Sequence, residues 1–217
     1  MPGEKLKRVL DFLSKYSVFI IGSIYLLAIL CVNAVPFEIL IGMAPILYLL
    51  GAGFIFLCHE KPLKKLGLYF GVVVVFTLVL EIINAQTNLV FGALSFGGTL
   101  GLKILDTPFL IGFHWFLLSI GAAYFIRWIF NSSIMRVLGA AFLMVIAFAI
   151  TDPVAQSLDF WTWDNYSFTF QNYSIRFLVS LLLQLLVVVF LKEEKNPFAG
   201  YFYIITSLFF LISNIVL

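Results

Sequence analysis

Apolar residues run through this chain in blocks long enough to cross a lipid bilayer, and polar positions gather between the blocks. A span needs ~20 mostly apolar residues. The blocks Tyr16–Val35, Phe37–Cys58, Leu66–Ile83, Pro108–Ile129, Val137–Val154, Ile175–Leu191 and Ala199–Leu217 meet or approach that length. They predict an all-α polytopic membrane bundle of about seven transmembrane helices, built as one integral membrane domain over residues 1–217. The connection Pro36-Phe37-Glu38 is short, so the first two helices are expected to pair antiparallel. Pro45, inside the second block, predicts a kink there. Val32-Asn33-Ala34 faintly resembles a signal cleavage site. The apolar run before it is long enough to span and a second follows at once, so the first block is expected to be retained.

Two segments break the pattern. Asn84–Asp106 holds Gly92, Gly97, Gly98 and Gly101 with Thr87, Ser95 and Thr99. It is apolar but too interrupted for a straight helix, and is expected to be re-entrant or interfacial, its backbone packed on protein. Ala155–Ser174 interleaves Trp161, Trp163, Tyr166, Phe168, Phe170 and Tyr173 with Asp159 and Asp164, and reads as an aromatic interfacial loop.

Composition agrees. Hydrophobic residues make up 63% of the chain and charged residues 11%, against roughly 45–50% and ~25% in soluble domains. The bilayer is therefore the first partner. A net charge of +2 without a basic stripe gives no reason to expect nucleic acid. The basic residues are strongly asymmetric in the predicted topology. Lys5, Lys7, Arg8, Lys15, Lys61, Lys64, Lys65, Arg127, Arg136, Lys192 and Lys195 fall on one side, and only Lys103 and Arg176 on the other. The positive-inside rule then predicts a multi-pass protein of the inner membrane, N-terminus cytoplasmic and C-terminus outside. Arg127 and Arg136 are expected to snorkel to the cytoplasmic boundary. Cys31 and Cys58 fall near opposite ends of a helical pair, so neither a disulfide nor a metal site is expected.

Ionisable groups inside spans are costly and mark function by default. Glu81, His114 and Asp152 all lie near the outer ends of their blocks, with His114 ~9 Å inside by helical rise. Asn84 follows Glu81 by one turn, and Asp152 precedes Pro153, where the helix is expected to break. Trp115, Trp161 and Trp163 belong to the same leaflet. Plainer readings stand beside these. The carboxylates could meet water at helix ends, His114 could pack against a neighbouring helix, and the tryptophans could form an interfacial belt. Asp159 and Asp164 could be solvated loop charges. P-loop, G-x-G-x-x-G, H-E-x-x-H and G-x-S-x-G patterns are absent. Two histidines, His59 and His114, are too few for a histidine-ligated di-iron centre. The last span has no lysine for a retinal Schiff base.

One set of residues is more specific. Glu81, Thr87, Phe91-Gly92, Leu100-Gly101, Pro108 and Trp115 form a first block. Asp152-Pro153-Val154-Ala155, Leu158-Asp159-Phe160-Trp161 with Trp163, and Gln171-Asn172-Tyr173 form a second. Order and spacing resemble a family of membrane carotenoid-biosynthesis proteins that includes γ-carotene 1′,2′-hydratases and bisanhydrobacterioruberin hydratases. The resemblance covers roughly residues 66–190. The chain departs from the family pattern where it carries Leu94 and Phe96 in place of two tyrosines and Phe148 in place of an aspartate. It departs again at Asp152, where the pattern has glutamate, and at Arg176, where it has tryptophan.

The resemblance implies hydration of the terminal 1,2 double bond of an acyclic, lycopene- or γ-carotene-like substrate. Adding water to such an alkene requires a proton on the less substituted carbon and capture of the tertiary cation by water. That calls for a carboxylic acid kept protonated by a low-polarity site, aromatic faces that tolerate the cation, and a group that positions water. No cofactor or metal is needed. Glu81 or Asp152 is the expected acid, with His114, Asn84 or Asn172 orienting water. Trp115, Trp161, Trp163, Thr87, Asp159 and Tyr173 are the remaining expected substrate contacts. A non-catalytic carotenoid-binding or accessory protein is the alternative, and a small-solute transporter a more distant one.

Overall fold

The computed structural model describes residues 2–31, 39, 42–60, 62–164, 170–191 and 194–217. Among them are seven helices: α1 Pro2–Cys31, α2 Ala44–Leu57, α3 Leu63–Thr87, α4 Leu110–Ile126, α5 Ser133–Ala155, α6 Phe170–Leu191 and α7 Pro197–Val216. Five are long and apolar enough to cross a membrane, and α2 and α4 are shorter apolar helices. The fold is an all-α membrane bundle.

Helix α4 is its axis. It packs against α2, α3, α5, α6 and α7, and nearly every side chain from Leu110 to Ile126 is buried. Small residues allow this. A Cβ on Gly112 would lie 2.8 Å from the Val74 carbonyl oxygen of α3, and one on Gly121 would lie 3.0 Å from Tyr203 Cβ of α7, the close backbone approach that helices in lipid use to associate. Polar atoms buried at mid-bundle satisfy one another. Tyr69 OH bonds Ser119 Oγ, and Gln184 Nε2 donates to Ser119 O at 3.0 Å, tying α3, α4 and α6 together.

Several expectations are corrected. Helix α1 starts at Pro2, well before Tyr16, so Lys5, Lys7, Arg8 and Lys15 ride on it as helical residues; thirty residues rise ~45 Å, more than the bilayer core requires. Pro45 sits in the first turn of α2 and does not kink it, the position where its missing N–H costs nothing. The connection Pro36-Phe37-Glu38 lies outside the described residues. Pro153 does not end α5, which continues to Ala155. At that turn Asn214 Nδ2 of α7 donates to Ile150 O at 2.7 Å, an outside partner of the kind that lets membrane helices carry proline. The Arg127 guanidinium donates to Leu191 O and Glu194 O at 2.8 and 2.7 Å, closing the C-terminal end of α6.

The two irregular segments meet. Leu94–Phe96 (β1) pairs antiparallel with Trp161–Trp163 (β4), while Lys103–Ile104 (β2) and Thr107–Pro108 (β3) form a separate hairpin. Leu105 and Asp106 at the hairpin tip both have positive φ, as a two-residue β-turn of type I′ requires. The expected interfacial loop is thus partly strand. Trp161 and Trp163 lie inside the protein, 2% and 9% exposed, and form no lipid belt. Asp159 ties the ribbon down. Its Oδ2 accepts from Gly98 N at 2.6 Å and Thr99 N at 3.2 Å, and a Cβ on Gly97 would lie 2.2 Å from its carbonyl oxygen.

Candidate functional site

The C-terminal ends of α3 and α5 and the N-terminal ends of α4 and α6 come together beneath the β1–β4 ribbon, and each delivers polar side chains inward. Glu81 of α3 is buried, and its Oε1 accepts a 2.8 Å hydrogen bond from Trp115 Nε1 of α4. Its Oε2 has no hydrogen-bond partner among the described residues. Asp152 of α5 is buried too but fully engaged. Oδ1 accepts from Trp161 Nε1 at 3.0 Å, and Oδ2 accepts from Tyr173 OH at 3.1 Å and Arg176 Nη1 at 2.7 Å. The two carboxyls therefore differ: one is saturated by a cation and two neutral donors, the other holds one indole and keeps one oxygen open.

Arg176, which the sequence reading counted only as one of two basic residues on the outer side, is a buried ion. It is 3% exposed, and its guanidinium carbon lies 4.1 Å from the Phe148 ring centroid and 5.0 Å from that of Trp163. A buried cation is tolerable only when paired, and Asp152 pairs it. Arg176 and Asp152 are both within electrostatic reach of Glu81.

Glu81, Arg176 and Trp163 line one small cavity together with Phe91, Leu94, Phe96, Ile111, Phe148 and Trp161. Its free space admits about one water-sized group. Leu94, Phe96, Phe148 and Arg176, four of the positions where the chain departs from the pattern it resembles, all face this space. Asp152 sits behind the lining and holds Trp161 and Arg176 in place.

A second, larger cleft opens between α1, α2, α4 and α7 and is almost wholly apolar. His114 and Tyr48 are among its few polar groups, joined by a 2.9 Å hydrogen bond between Tyr48 OH and His114 Nδ1. His114 Nε2 is buried and unpartnered among the described residues. The His114 ring packs edge-on against Phe148 at 5.4 Å and Trp161 at 5.5 Å, so one aromatic partition separates cleft from cavity.

The other expected site residues fall elsewhere. Asn84 spends its amide on the backbone, accepting from Phe91 N at 2.7 Å and Gly92 N at 3.2 Å and donating to Gly92 O at 3.0 Å. Asn172 Nδ2 donates to Phe91 O at 2.7 Å, clamping the same turn from α6. Gly92, at φ +109°, makes that turn possible. Thr87 is exposed and bonds Ile83 O within its own helix. Asp159 is taken up by the glycine-rich ribbon. Sequence reasoning missed Tyr48, Phe148 as an inner wall, and Arg176 as a buried ion.

A family model described as "Carotenoid biosynthesis protein" matches residues 23–217. No curated protein matches significantly, and no solved structure does.

Proposed function

The chain belongs to the carotenoid biosynthesis protein family, and on that premise we propose that it hydrates the terminal 1,2 double bond of an acyclic carotenoid, with Glu81 as the acid. The observation that carries this reading is the state of Glu81: buried, fixed through Oε1 by Trp115, and part of the lining of an aromatic cavity. Asp152, saturated by three donors, holds the wall and gives no proton.

The polyene would occupy the apolar cleft, and its end group would reach Glu81 by parting the Phe148 and Trp161 rings that separate cleft from cavity. Glu81 Oε2–H delivers its proton to C2 of the end group, and the cation forms at C1. The oxygen of a water molecule bonds to C1, and one water proton leaves, restoring the carboxyl. The indole faces of Trp115 and Trp161 offset the transient charge. The Arg176 charge does not oppose the cation in full, because Asp152 neutralises it at 2.7 Å. His114, donating Nδ1–H to Tyr48, presents Nε2 to the incoming water. The asymmetry of basic residues supports an inner-membrane protein with a cytoplasmic N-terminus and an outer C-terminus, which puts this site under the outer surface.

A second reading, a carotenoid-binding or accessory subunit, is favoured by the locked state of Asp152. One experiment separates the two. In a lycopene- or γ-carotene-producing host, the wild type should yield a 1-hydroxy product, and Glu81→Gln should lower its formation about 10²–10⁴-fold. Normal hydration by Glu81→Gln refutes the assignment. Wild-type protein that co-purifies with unaltered pigment and yields no hydroxylated product identifies the accessory role.

A further inference from the structure

The small cavity contains more hydrogen-bonding capacity than the bare alkene uses. Arg176 Nε and Trp163 Nε1 are both buried and both without a partner among the described residues. Both residues line the cavity that Glu81 lines. Orphaned buried donors are rare in native structures, and each needs an explanation. Two unmet N–H donors and a carboxyl, on three residues that line a space of about one water molecule, are the makings of a receptor for a single oxygen that accepts twice and donates once. That is the capacity of an alcohol. It suits an attacking water poorly, since two N–H bonds would occupy both of its lone pairs.

We propose that this cavity is a recognition site for a tertiary hydroxyl on the end group of an acyclic carotenoid, accepting from Arg176 Nε–H and Trp163 Nε1–H and donating to Glu81. The inference deepens the hydratase reading and rests on its choice of ligand class, since the oxygen held is the one that hydration adds. The rest of the lining, Phe91, Leu94, Phe96, Ile111, Phe148 and Trp161, is apolar, and these side chains must part to seat the methyl groups that flank such a carbon. The Asp152 bond to Nη1 fixes the guanidinium so that Nε stays turned from its ion-pair partner. An unsubstituted hydrocarbon end leaves both donors unmet, so the site discriminates by the cost of that vacancy.

The test uses two polyenes that cannot themselves be hydrated. One has saturated hydrocarbon ends, and the other has the same skeleton with a tertiary hydroxyl at each end. Purified full-length protein in lipid nanodiscs is equilibrated with an equal mixture, and retained pigment is separated by chromatography. The hydroxylated compound is expected to be retained up to about a hundredfold over the hydrocarbon, each of the two satisfied buried donors being worth up to about tenfold. Trp163→Phe, which removes one N–H and little volume, is expected to reduce the preference about tenfold while hydrocarbon retention holds. Arg176→Met should reduce it further, and Trp163→Phe keeps the test decisive should that variant fail to fold. Equal retention by the wild type, or full preference in Trp163→Phe, overturns the proposal. Loss of hydration in cells with the preference intact would sink the hydratase reading alone.

Discussion

Breaking the Asp152–Arg176 pair should be far more damaging than replacing it. The pair is made at 2.7 Å with side chains 1% and 4% exposed, and neither partner has a solvated alternative. Asp152→Leu leaves the guanidinium against Phe148 and Trp163 with no counter-ion, and Arg176→Met leaves the carboxylate with only the Trp161 and Tyr173 donors. Removing one member of a buried pair typically costs ~3–5 kcal/mol. In the double variant no charge stays buried. What remains is the unmet Trp161 N–H, at ~1–3 kcal/mol, offset by better apolar packing. The double variant should therefore lie within ~1–3 kcal/mol of wild type, and the coupling should exceed ~3 kcal/mol. Equilibrium unfolding in mixed micelles, followed by tryptophan fluorescence, measures all four corners of the cycle. Trp161 and Trp163 report directly on this region. A double variant that loses the sum of its parents, or single variants that each lose under ~1 kcal/mol, would show that the ions are not buried as described.

Three further outcomes follow from individual contacts. Gly97→Ala should destabilise the β1–β4 ribbon by ~1–3 kcal/mol, because its Cβ would meet the Asp159 carbonyl oxygen at 2.2 Å; Gly98→Ala, whose nearest contact is a side-chain oxygen at 3.3 Å, should cost less. Acrylamide quenching of Trp163 tests whether the ribbon loosens in the first and not the second. His114→Phe keeps a ring against Phe148 and Trp161 but removes Nε2, so turnover should fall about 10²-fold with pigment retention unchanged; equal loss of both would make His114 a packing residue. His59, in the connection after α2, is 6% exposed with neither ring nitrogen partnered among the described residues, and burial lowers its pKa. The unfolded chain then binds the extra proton, so stability should decline as pH falls through about 6.5. His59→Leu should flatten that decline in thermal unfolding against pH, and an unchanged slope would refute it.

The bundle was legible because lipid imposes a simple rule: a long apolar run has to be a helix, as every backbone polar group must be satisfied within it. All seven expected spans overlap described helices, with ends displaced by the charged turns of α1 and by the prolines. Local cues also located Glu81, His114, Asp152 and Trp115 at one end of the bundle. The β1–β4 ribbon was not legible. Its partners are 69 residues apart at Leu94 and Trp163, and neither three-residue strand is long enough to show an alternating pattern. The parts played by Asn84, Asn172 and Asp159 were hidden for the same reason. Their side chains bond backbone groups of a turn and a ribbon that only the folded chain creates.

Arg176 shows where single-sequence reasoning stopped short of what it could have concluded. Placed second in its apolar block, it reads like any cation at a membrane boundary, and the positive-inside tally used it that way. Yet the same topology puts Asp152 at the matching end of the preceding helix, and α5 and α6 pack side by side. An acid inside a span requires a partner, and of the two basic residues predicted on that side Lys103 lies in the glycine-rich segment, where it donates to Phe96 O. Arg176 was the cation left on a helix next to Asp152. Pairing charges by depth before counting them by side would have moved it from the surface to the core. It would also have left Glu81 as the carboxyl still in need of a role.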